Sequence, residues 1–222
     1  FCEELIEYIQ KEDKERAFHY LMDKLENKEI GVLEMYTKIL APTLNQIVYR
    51  YETKNLRIWE EHVYTGIILT VLENCYPYVL QERDERFKKN TKLDNTVMVI
   101  CPSKEYHILG ARMATDFFTI AGFNAIFVGN DTPRKVIVDS IKEKHPNFIA
   151  ISITNPCHLV TTKRVISEIR EKIPNDVKII LGGRAVAVKA KIKGDLDVDY
   201  VLNDFEDVLS LREEILKNKN QP

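Results

Sequence analysis

Three short clusters in the second half of the chain carry the residue types that do chemistry. Glu105 precedes His107 by two positions, and Gly110 follows by three; Ser152 and Thr154 flank a single residue; Gly182 and Gly183 are adjacent. A neutral imidazole is a metal ligand, and a carboxylate close in sequence can fix its tautomer. A serine hydroxyl both donates and accepts, and paired glycines leave a wall without side chains. Singly, each feature also has an ordinary reading: a locally bonded histidine, a strand-end serine, a tight turn.

The elements around them argue for position. From residue 95 onward short β-branched runs alternate with amphipathic helical stretches: strands at 97–101, 125–128, 148–153, 178–181 and 200–202, with helices at 109–121, 135–144, 161–172 and 205–217. Buried runs separated by helices predict a parallel sheet covered on both faces. The fold class read from this is α/β: an N-terminal four-helix bundle followed by a flavodoxin/Rossmann-like five-stranded parallel-sheet domain. Ligands of such sheets sit at the carboxyl ends of the strands, near the topological switch point. The three clusters follow the first, third and fourth strands.

The first 90 residues read as helices near 3–10, 13–27, 30–53 and 56–87, with Pro42 and Pro77 expected at kinks or breaks. The polar stretch 88–94 (KKNTKLD) is the expected connector between a 1–90 bundle and a 94–218 α/β domain. Gly129-Asn130-Asp131-Thr132-Pro133 reads as the loop after the second strand, with Pro133 opening a helix.

Composition excludes several classes. The 222 residues carry a formal net charge of −2 with both signs interspersed, so no nucleic-acid surface is expected. No apolar run approaches the roughly 20 residues of a membrane span, and Phe1-Cys2-Glu3-Glu4 has no signal-peptide character; a cytoplasmic location is expected. The four cysteines are dispersed, which argues against a disulfide scaffold or zinc site. No acid/base pair or activated nucleophile stands out, so no enzyme is expected.

Taken together, the clusters form a pattern. Glu105-x-His107-x-x-Gly110, 41 residues, Ser152-x-Thr154, 27 residues and Gly182-Gly183 resemble the signature D/E-x-H-x-x-G, S-x-L or S-x-T, and GG of the cobalamin-binding domain of methionine synthase, corrinoid methyl carriers and B12-dependent regulators. The resemblance covers 94–218. It implies cobalamin bound with its dimethylbenzimidazole displaced and His107 as the lower cobalt ligand, Glu105 fixing the imidazole, and Gly110 admitting the corrin. Ser152, Thr154, Gly182 and Gly183 would then line a slot for the nucleotide tail. Glu105 stands where most members have Asp.

Two functional readings follow. Methyl carriers typically read D-x-H-D-I-G-K-N, whereas this chain reads E-Y-H-I-L-G-A-R and looks closer to the E-x-H-x-L-G of photoreceptor regulators of the CarH/LitR type. In those regulators a Trp followed after nine residues by Glu-His caps the upper face; here nine residues intervene between Tyr51 and Glu61-His62. Trp59 reads as helix core. Glu52 replaces the regulators' light-state His, and their MerR-type DNA-binding domain is not in the sequence. The expectation is a light-responsive sensory module holding adenosylcobalamin rather than methylcobalamin between the two halves, as a homo-oligomer, reaching DNA only through a further domain or partner. The alternatives are a corrinoid methyl carrier of a methyltransferase system and a sensor using haem or another tetrapyrrole.

Overall fold

The computed structural model describes residues 1–87, 92–173, 176–187 and 196–219. The chain divides into two compact units, Phe1–Lys88 and Lys89–Pro222. The connector read at 88–94 lies in its first four residues outside the described ones.

The first unit is helical: α1 (Cys2–Gln10), α2 (Lys14–Glu26), a single turn α3 (Val32–Glu34), a π-helical segment (Met35–Leu40), α4 (Ala41–Glu52), α5 (Ile58–Asn74) and α6 (Tyr76–Arg86). Asp13 caps α2 by accepting from the Arg16 N–H at 3.0 Å, satisfying one of the donors a helix start leaves over. Leu5 and Ile9 of α1, Leu21 and Leu25 of α2, and Ile68 and Leu72 of α5 recur at helical spacing and are all buried, so the bundle forms around their shared apolar side.

Two of the four expected helices are divided, each at a proline. Pro42 has no N–H to offer the Lys38 carbonyl, and its ring crowds that group. The turn before it widens, with Ala41 N–H bonding Tyr36 O five residues back, and the Cys2 thiol supplies a donor to Lys38 O at 3.1 Å. The 56–87 stretch breaks at Cys75, which puts Pro77 in the first turn of α6, where a missing N–H costs nothing. Trp59, expected in the core, is instead 46% exposed, and the Arg57 guanidinium lies 4.8 Å from its ring centre.

The second unit is a parallel sheet of β1 (Thr96–Pro102), β2 (Asn124–Thr132), β3 (Phe148–Ser152), β4 (Lys178–Gly182) and β5 (Tyr200–Val201) in the order β2-β1-β3-β4-β5. It is wrapped by α7 (Leu109–Ile120), α8 (Arg134–Lys144), α9 (Leu159–Lys172), the short α10 (Arg184–Ala187) and α11 (Phe205–Lys219). This is the expected flavodoxin-like order, read from strands that are nearly all apolar because both faces are covered. Met98, Ile100, Ile149, Ile151, Ile179 and Leu181 pack with Ile137 and Ile141 of α8 and Val165 and Ile169 of α9.

The chain leaves β1 for β2 on one side and arrives at β3 on the other, so the switch point lies between the carboxyl ends of β1 and β3. Gly129 to Thr132, read from sequence as a loop, belongs to β2. Val128 is an extra residue there, since Val99 pairs with Phe127 and Ile100 with Gly129. That bulge, with Gly129 at φ +123°, lets the strand run past the expected turn.

Candidate functional site

The loop from Ser103 to Ile108 connects β1 to α7 at the switch point and is tied to the end of β2. Lys104, at φ +70°, donates its N–H to Asp131 Oδ1 at 2.8 Å. The Asp131 N–H donates back to Glu105 O at 3.3 Å, and Glu105 N–H to Pro102 O at 3.0 Å. These bonds turn Glu105 inward, where it is 0% exposed.

A buried carboxylate must be matched on both oxygens. Glu105 Oε1 lies 2.6 Å from His107 Nδ1 and accepts from the His107 backbone N–H at 3.1 Å. Oε2 accepts from the backbone N–H groups of Thr154 at 2.9 Å and Asn155 at 3.0 Å. Burial pushes the carboxyl pKa up, but the hydrogen bonds from the His107 ring and from the Asn155 and His107 backbones outweigh it and hold the group down at about 2. Glu105 is therefore ionised and accepts only, so Nδ1 of His107 carries the proton it donates. In the neutral ring this leaves the lone pair on Nε2, the tautomer a metal ligand needs. The His107 side chain is 38% exposed, reachable by a ligand.

The other two clusters meet by strand register. Ser152, the last residue of β3, pairs with Gly182, the last of β4. The Ile153 N–H donates to Gly182 O at 3.0 Å, and Ile153 O accepts from the Ala185 N–H at 3.0 Å. Gly183 sits at φ +98°, and a Cβ there would lie 2.5 Å from Ile153 O; at Gly182 it would lie 3.0 Å from Leu202 O. Gly183 is thus required by the backbone packed against it, while Gly182 is held in tight contact; the sequence reading of a tight turn or slot walls did not contain this reason. A Cβ at Gly110 would meet nothing within 4 Å, so that position opens to space. Ser152 is 8% exposed, and its hydroxyl makes no hydrogen bond among the described residues.

This donor set suits a metal that arrives already chelated. Among the described residues no three His, Cys, Asp or Glu side chains group as a metal site, whereas a cobalt held by the four ring nitrogens of a corrin asks the protein for one ligand. The residues present fit such a group: one oriented imidazole and, beside it, an open glycine.

The residues expected at the upper face belong to the helical unit. Tyr51, in the last turn of α4, is 41% exposed. In the first turns of α5 the Glu61 side chain is 14% exposed and that of His62 70%, with His62 Nε2 3.7 Å from Glu61 Oε2. Asn155 escaped the sequence reading, which named Asp131 only as part of the loop after the second strand. Asn155 precedes a proline and caps a short 3-10 turn, accepting from Cys157 N–H at 2.9 Å; Asx-Pro was the available signal.

Comparison with known proteins brings these features together. Trimethylamine corrinoid protein 1 of Methanosarcina acetivorans is 29% identical over 130 residues, 55% of this chain and 60% of its own length; the chain thus spans about three-fifths of that relative. The structure of the Methanosarcina barkeri monomethylamine corrinoid protein superposes with a TM-score of 0.79 over 96% of both chains at 15% identity, a likeness of fold. A chain of the methanol:cobalamin methyltransferase complex of Methanosarcina barkeri follows at a TM-score of 0.50 and 14% identity, over 96% of this chain and 78% of its own. These are corrinoid and methyltransferase proteins, which overturns the expectation of a light-responsive regulator: the departures at Tyr51 and Glu52 were the better guide, and the missing acidic residue after His107 the worse one. The model of the B12 binding domain matches residues 95–211: this chain belongs to the B12 binding domain family.

Proposed function

We propose that this protein is a corrinoid methyl carrier, loaded with methylcobalamin rather than adenosylcobalamin and serving partner methyltransferases rather than catalysing alone. The single observation that supports it is the buried, ionised Glu105 holding His107 Nδ1 at 2.6 Å, in a chain related to a trimethylamine corrinoid protein. When bound, cobalamin supplies a cobalt that can take up and give away a methyl group. His107 would hold the cobalt through Nε2. Glu105 would keep the ring in that tautomer, and its negative charge would strengthen the imidazole as a donor. Gly110 would leave room for the corrin; Ser152, Thr154, Gly182 and Gly183 would border the nucleotide tail. Tyr51, Glu61 and His62 are retained as proposed contacts to the upper face, and a homo-oligomer as a proposed assembly. No helix among the described residues is long and apolar enough to cross a membrane.

The test is reconstitution with methylcobalamin. The expected absorption spectrum is base-off with histidine bound, and the expected activity is methyl transfer to a thiol in the presence of a corrinoid-dependent methyltransferase. A protein that keeps its methyl group under those conditions, yet changes oligomeric state when adenosylcobalamin is photolysed, would return the regulator reading and end this one.

A further inference from the structure

Glu105 touches more than its histidine. Its second oxygen accepts two backbone N–H groups, from Thr154 at 2.9 Å and Asn155 at 3.0 Å, about 50 residues along the chain and on the loop that follows β3. That loop begins at Ser152, whose partner is Gly182, and continues through Ile153, whose backbone closes on Gly182 and Ala185. One fully buried carboxylate therefore ties the histidine loop to the strand-end loop bearing Ser152 and Thr154. Nothing in the coordination of a metal by His107 calls for the second half of this arrangement.

We propose that Glu105 is a positioning residue for both loops at once, and that its length, one methylene more than aspartate, is what lets a single carboxylate span them. In the carrier reading, on which the ligand part of this inference rests, the histidine loop answers to the cobalt and the Thr154–Asn155 loop to the nucleotide tail. Glu105 then couples the two ends of the cofactor through the protein. Aspartate would retain the short-range contact to His107, two residues away, and withdraw from the two amides. Glutamine keeps the length but has one acceptor oxygen, so it can satisfy the ring side or the loop side and not both.

The 222-residue chain without cofactor gives a readout independent of any transfer activity. In Glu105→Asp the amide hydrogens of Thr154 and Asn155 should exchange with solvent about tenfold faster or more, the scale of losing a hydrogen bond to a charged acceptor. In His107→Ala they should stay protected, because Oε2 keeps its partners. The ligand arm compares cobalamin with aquocobinamide, which has no nucleotide tail. Glu105→Asp should bind cobalamin about tenfold more weakly and aquocobinamide as the unaltered protein does. Unchanged exchange at Thr154 and Asn155 in Glu105→Asp overturns the proposal. So does an equal loss for both corrinoids in Glu105→Asp, since that would mean only the histidine had been disturbed. Failure of the carrier reading shows elsewhere: His107→Ala would then keep the spectrum of the histidine-bound form, whatever the amides do.

Discussion

Two carboxylates join strand ends in the α/β unit, one at each edge of the same sheet. At the carboxyl edge Glu105 accepts backbone N–H groups from Thr154 and Asn155 and holds an imidazole. At the amino edge Asp199 accepts the Ile179 N–H at 2.8 Å and a guanidinium N–H of Arg170 at 2.7 Å, with Lys178 Nζ at 3.2 Å. Each joins a loop to a strand or loop distant in sequence. The difference lies in the third partner. Asp199 meets the Arg170 guanidinium and the Lys178 ammonium, so its interactions are complete within the protein and serve the fold. Glu105 meets a ring that is a base, so its charge fixes a tautomer and leaves the lone pair on Nε2. The same backbone device meets a guanidinium at one edge and an imidazole at the other.

That contrast can be broken by exchange of roles. The largest effect is expected from His107→Ala, which should abolish the histidine-bound absorption spectrum of the reconstituted protein while leaving its urea midpoint nearly unmoved. If the midpoint collapses instead, the carboxyl-edge pair is structural after all. Next comes Gly183→Ala. The added methyl must meet the Ile153 carbonyl at 2.5 Å in a backbone of φ +98°, at a cost of about 3 kcal/mol by urea unfolding, where strain alone reaches that range. Cobalamin binding should fall with it, because Ile153 adjoins Ser152.

Asp199→Asn should cost about 2 kcal/mol in the same measurement, the scale of hydrogen bonds to a charged group, with the cofactor spectrum unchanged. A spectral change there would erase the distinction between the two edges. The pH dependence sharpens it further. Burial raises the Asp199 pKa, but Arg170, the Ile179 N–H and Lys178 lower it more, so the net displacement is downward from 3.8. The unfolded chain then binds more protons than the folded one over that interval. The contribution of Asp199 is fully present above its unfolded pKa and is lost as pH falls through the lower folded value. Unfolding followed from pH 6 downward should show this acid-side loss in the unaltered protein and a shallower slope in Asp199→Asn. The smallest effects belong to Glu61→Ala and His62→Ala, which should loosen binding of the upper ligand and leave the histidine-bound spectrum intact; unchanged affinity would remove both from the site.

Much of this architecture was readable from local pattern. Apolar runs such as 97–101 and 148–153 can only be strands covered on both faces, and helical spacing around Leu21, Leu25, Ile68 and Leu72 demands a bundle. The Glu105, His107 and Gly110 spacing, with Ser152 and Gly182-Gly183 at fixed separations, carried the cofactor class because a motif of this kind is a set of strand ends, and strand ends are set by strand and helix lengths. The choice between carrier and regulator was not settled by the sequence, since Tyr51 and Glu52 pointed one way and the residue after His107 the other.

The order of residues along the chain determined the alternation of elements, the switch-point loops and the pairing of Glu105 with His107 two residues on, because periodicity and turn chemistry act over a few residues. Folding alone decided what Glu105 does with its second oxygen, why Gly183 must lack a side chain, and how the turn before Pro42 widens to let Cys2 answer a stranded carbonyl. Each of these depends on a partner tens of residues away, brought within hydrogen-bonding distance or steric contact only when the strands pair and the helices pack.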